Sequence, residues 1–103
     1  MSVERTGDVV RLAELLKEEQ TWTGRFYGHS GQARVAKREA EYWEERLREL
    51  GDNIEPFIKA RYERNLRKAR ARVEYHQKQA EEAKERLDYI RAEIKRIMRE
   101  EEK

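Results

Sequence analysis

The chain has 103 residues, enough for one domain, and 45% of them are charged against 37% hydrophobic. A net charge of +2 names no partner, the lack of cysteine excludes disulfides and thiolate chemistry, and a mean hydropathy of −1.22 allows only a thin core. No apolar run approaches the ~20 residues of a bilayer span, and the opening MSVERTGDVV has no apolar signal core, so no membrane partner and a cytoplasmic location are expected.

The first expected element is a short helix over residues 8–19, capped by Thr6 or Asp8, with Val9, Leu12 and Leu16 on its apolar face. Residues 20–29 then read as a loop. The segment from Gln20 to Gly31 holds three glycines, Trp22, Phe26, Tyr27 and His29, and no acid. Its aromatics have two readings: a plug for the open end of the helical core, or a surface for stacking and partner contact.

Helix 2 is expected over 30–50, with Ser30 as N-cap and Ala33, Ala36, Ala40, Trp43, Leu47 and Leu50 as its stripe. Gly51 ends it. Asp52-Asn53-Ile54-Glu55 reads as a capping box for a third helix over 53–102, with Pro56 in its first turn. So short a turn sets helices 2 and 3 antiparallel.

Helix 3 carries the strongest pattern in the chain. Tyr62, Leu66, Ala69, Val73, His76, Ala80, Ala83, Leu87, Ile90, Ile94 and Ile97 recur with unbroken 4-3 spacing, the mark of a helix burying one narrow seam against another helix. Such a helix of roughly 45 residues is about 70 Å long, more than twice the reach of helix 2. The register sets Trp43 and Leu47 against Tyr62 and Leu66, Ala36 and Ala40 against Ala69 and Val73, and Ala33 near His76. Ala80, Ala83, Leu87, Ile90, Ile94 and Ile97 then need another cover. Helix 1 covers a part, and a second copy of the chain is the simplest cover for the rest. A parallel dimer would oppose Arg86 to Arg91 and Arg72 to Gln77 across the seam, with no pairing of unlike charges, so an antiparallel dimer or larger assembly is favoured.

The residues for common enzyme chemistry are scarce. His29 and His76 are the only histidines, no metal-binding spacing occurs, and the serines are Ser2 and Ser30. Glu44/Glu45 and Glu81/Glu82 read as solvated faces. His76, at a seam position, reads as an interfacial polar residue. No cofactor and no catalytic residue is expected.

Charge is the remaining signal. Between Lys59 and Arg72 seven cations meet one acid. In the hairpin register Arg67, Lys68, Arg70 and Arg72 lie beside Arg34, Lys37 and Arg38, with Arg25 at the same end. Such a patch suits a phosphate backbone, the aromatics suit unpaired bases, and a helix start at Ser30 suits an anion. Against this, Arg-rich helices are often only solvated, with i,i+4 pairs such as Glu63–Arg67 and Glu74–Lys78. The sequence therefore predicts an all-α binding protein: a short helix, an aromatic glycine-rich loop and a long, self-associating helical hairpin. The partner is a nucleic acid or an acidic protein surface. The alternative is a protein–protein adaptor or inhibitor using the C-terminal seam or the aromatic loop.

Overall fold

The computed structural model describes residues 3–52 and 55–102, with side chains for 7–52 and 55–100. It is an all-α helical hairpin of two long helices, α1 (Val3–Leu50) and α2 (Pro56–Glu102). No described helix is long and apolar enough to cross a membrane.

Between the helices, Gly51 takes the left-handed conformation at φ 60° that ends an α-helix without steric cost. The Glu55 carbonyl accepts from the amides of Ile58 at 3.0 Å and Lys59 at 3.2 Å, so Glu55 is the N-cap of α2. Pro56 takes the first helical position, where its missing N–H costs nothing. The third helix thus starts at Pro56 rather than at residue 53. Asn53 and Ile54 of the expected capping box lie outside the described residues.

The segment 20–29 is not a loop. α1 passes through it without interruption, so the expected helices over 8–19 and 30–50 are one element, and Thr6, Asp8 and Ser30 are interior positions rather than caps. The reason lies in spacing. Trp22, Phe26, His29, Ala33, Ala36, Ala40, Trp43 and Leu47 follow the same 4-3 alternation as the α2 stripe, and all are buried or half-buried. Glycine in a helix interior costs about 0.5–1 kcal/mol relative to alanine, less than a buried aromatic returns. Gly24, Gly28 and Gly31 sit off the stripe, where an added Cβ would meet nothing within 4 Å. Thr21 keeps its hydroxyl satisfied inside the helix, donating to the Lys17 carbonyl at 3.3 Å.

The chain divides into two compact units, one of Met1–Tyr27 with Ala80–Lys103, the other of Gly28–Gln79. In the second unit Ala40, Leu66 and Ala69 form a buried core, with Trp43 and Leu47 packed against it. The Trp43 and Tyr62 rings lie 5.2 Å apart, as the register predicts. His76 meets His29 rather than Ala33, one helical turn from the expected level.

In the first unit Leu15, Ile90 and Ile97 form the core, with Leu12, Trp22 and Ile94 against it. Leu15 rather than Leu16 points inward; Leu16 and Val9 are exposed. Ala80, Ala83, Leu87, Ile90 and Ile97 are all buried within the single chain. The ground for expecting a second copy was an uncovered seam here, and α1 covers it.

Candidate nucleic-acid interface

The α1 and α2 stripes fix which residues flank the seam. Taking Leu66 as position a on α2 and Ala40 as position a on α1, antiparallel helices set e opposite e and g opposite g. In the second unit Arg70 and Glu44, both e, pair at 2.9 Å, and Arg72 and Glu39, both g, pair at 2.7 Å. In the first unit Arg91 pairs with Glu19 at 3.2 Å, and Arg86 approaches Glu18 at 3.9 Å. Arg72, Arg86 and Arg91, which meet no opposite charge in a parallel dimer, thus find carboxylates on α1, as does Arg70. Each such exposed pair contributes only about 0.2–1 kcal/mol, but together they favour this antiparallel pairing over alternatives.

This pairing changes the expected basic patch. Arg70 and Arg72 are partly neutralised by Glu44 and Glu39, residues the charge reading passed over. Their heptad positions were the available signal: the stripe of the expected helix over 30–50 already sets Glu39 at g and Glu44 at e, opposite Arg72 and Arg70. Arg34, Lys37, Arg38, Arg67 and Lys68 are exposed, and among the described residues none of them is in an ion pair. The helical pairs Glu63–Arg67 and Glu74–Lys78 are not among those formed; the local pairs observed include Arg46–Glu49 and Arg48–Glu45.

The cations do not form one surface. Arg34 and Arg67 at b, with Lys37 and Arg70 at e, lie on one flank of the seam. Lys37 and Arg70 line the same shallow groove of about 290 Å³, with Ala40, Glu41, Glu44, Val73 and Gln77. Lys68 at c belongs to the other flank with Arg72, and Arg38 at f points away from the seam. Arg25 belongs to the first unit, where its guanidinium sits 4.6 Å from the Trp22 ring centroid in a cation–π contact.

The aromatic residues are also dispersed. Trp22 is half-buried against the Leu15 core. Phe26 is half-buried and meets the Tyr27 ring edge-on at 5.3 Å, while Tyr27 is 66% exposed. His29 is engaged with His76. Only Tyr27 of the four offers an open ring. Ser30, inside α1, has no helix-start amides around it, so the expected anion site at that position does not exist.

One carboxylate in the first unit is perturbed. Arg96 donates to Glu93 at 3.0 Å and holds its carboxyl below the ordinary range, against an opposing desolvation. Set beside known proteins, the chain matches no family model, no curated protein and no solved structure.

Proposed function

We propose that this is a non-enzymatic binding protein that holds a nucleic-acid phosphate backbone on the flank of the second unit carrying Arg34, Lys37 and Arg67, with Arg70 shared between Glu44 and the ligand. The observation that carries this reading is the set of exposed cations without carboxylate partners. The unit Gly28–Gln79 holds thirteen Lys and Arg against nine Asp and Glu, whereas the remainder of the chain holds eleven against thirteen. Cations from two facing helices share this flank, with Lys37 and Arg70 on one groove, and each phosphate neutralised releases counterions. Base stacking by the aromatics is not part of the proposal, because three of the four rings are engaged.

The test is a titration of labelled duplex DNA, single-stranded DNA and RNA at 50 mM salt, against the wild-type chain and an Arg34→Glu/Lys37→Glu/Arg67→Glu variant. Wild type is expected to bind and the variant to lose binding with its helicity intact, because none of the three occupies a seam position. No binding by wild type to any of the three ligands would remove the reading.

A second reading has its own support. Val35, Tyr42 and Tyr75 are exposed at c positions, on the opposite flank. That apolar surface suits a protein contact, replacing the C-terminal seam and the aromatic segment as the adaptor surface. Its binding would persist at high salt, where phosphate contacts fail.

A further inference from the structure

We infer that His29 and His76 form a two-histidine clamp for a divalent transition metal that prefers square-planar or tetragonal coordination, Cu(II) first and Ni(II) next. The inference rests on an observation independent of the basic flank. His29 on α1 and His76 on α2 face each other in the seam of the second unit, half-buried, with Nδ1 to Nδ1 at 2.9 Å. Two imidazole nitrogens at this distance share one proton. One ring donates and the other accepts, so at least one Nδ1 presents a lone pair, and a metal that displaces the shared proton meets two.

The spacing admits a pair of cis ligands. With metal–nitrogen bonds of about 2.05 Å, nitrogens 2.9 Å apart subtend roughly 90° at the metal, the cis angle of a square-planar or tetragonal centre. In the hydrogen-bonded pair the nitrogens face each other, so each ring has to turn for both lone pairs to meet at a metal, and the distance changes as it does. The order Cu(II) before Ni(II) and Zn(II) therefore rests on the general affinity of imidazole sites for these ions.

The nearest positions after each histidine at e and g, Ser30, Gln32, Gln77 and Gln79, are uncharged, while the g positions one turn before are Arg25, which lies over the Trp22 ring, and Arg72, which pairs with Glu39. The layers around Ala40 and Leu66 are instead flanked by arginine–glutamate pairs. The Tyr75 ring lies edge-on to both imidazoles, 5.1 Å from His76 and 6.2 Å from His29. Among the described residues no group of three or more His, Cys, Asp or Glu is placed to hold a metal. The two imidazoles are therefore the only protein ligands of the proposed clamp, and solvent would have to supply the others.

The test is calorimetric titration of the metal-free full chain with Cu(II), Ni(II) and Zn(II) chlorides, with electron paramagnetic resonance of the Cu(II) form. One Cu(II) per chain is expected, with two equatorial nitrogens and higher affinity for Cu(II) than for Ni(II) or Zn(II). His29→Gln and His76→Gln should each lower Cu(II) affinity about 100-fold or more, because the second ligand no longer benefits from a high effective concentration. In wild type, proton NMR should show both imidazole rings broadened together by substoichiometric Cu(II), a readout that needs no variant. The clamp is overturned by an absent one-to-one phase, by unchanged affinity in either folded variant, by broadening of one ring or neither, or by Zn(II) binding tighter than Cu(II).

Discussion

Replacing Gly24, Gly28 and Gly31 together by alanine should stabilise the protein, which is an unusual expectation for a glycine-rich aromatic segment. All three lie inside α1, none has a positive φ, and an added Cβ meets nothing within 4 Å at any of them. Alanine at each removes the excess backbone entropy of glycine in the unfolded chain, about 0.5–1 kcal/mol per site. The triple variant should therefore gain roughly 1.5–3 kcal/mol, a rise in Tm of the order of 10 °C for a chain of this size. Gly51→Ala supplies the opposite sign. At φ 60° a side chain is strained, and a loss of about 1 kcal/mol is expected. Thermal and urea melts followed by far-UV circular dichroism measure both. A triple variant that is unchanged or destabilised would refute the continuous helix, because a loop that uses glycine for its left-handed conformations loses stability with each alanine.

Further outcomes follow from burial and charge. Trp22→Ala and Trp43→Ala should destabilise by similar amounts, about 3 kcal/mol each, since each ring is half-buried against the core of its own unit; urea midpoints that differ severalfold between the two would contradict the packing of Trp22. Ile90→Ala and Ile97→Ala remove side chains that are 0% and 1% exposed in the single chain and should cost about 2–5 kcal/mol each, with a penalty independent of protein concentration, because α1 supplies the cover. The Glu93 carboxyl, held low mainly by its hydrogen bond from Arg96, should titrate by NMR below the ordinary carboxylate range. A lowered folded-state value means that its contribution is present above the ordinary carboxylate range and fades as the pH falls through its own midpoint. Arg96→Gln should move that midpoint up.

The α2 stripe was legible because nothing interrupts it: all eleven positions from Tyr62 to Ile97 are buried or half-buried as the spacing requires. α1 was legible as two helices, over 8–19 and 30–50, and not as one. Its stripe from Trp22 through His29 to Ala33 is equally regular, but glycine is the strongest local mark of a turn, and three glycines near four aromatic or imidazole rings outweighed a pattern whose residues differ in size. Tertiary packing offsets a cost that local propensity cannot see past. That one misreading carried others with it: the Ser30 cap, the anion site and the uncovered seam. The exposure of Arg34, Lys37, Arg38, Arg67 and Lys68 was readable from their positions off the stripe. Their division between flanks was readable too, since the 30–50 stripe fixes their heptad positions, but charge alone groups them as one patch.

The measurement that tests the proposed function most directly is the salt dependence of duplex DNA binding, followed by fluorescence anisotropy between 50 and 200 mM salt. With Arg34, Lys37 and Arg67 unpaired on one flank and Arg70 shared with Glu44, three to four phosphates are engaged, which predicts a log–log slope of about −2.7 to −3.6. Glu44→Gln, which releases Arg70, should tighten binding and steepen the slope by about 0.9. A slope near zero, or a Glu44→Gln variant that binds no more tightly than wild type, would contradict the assignment of this flank to a phosphate backbone.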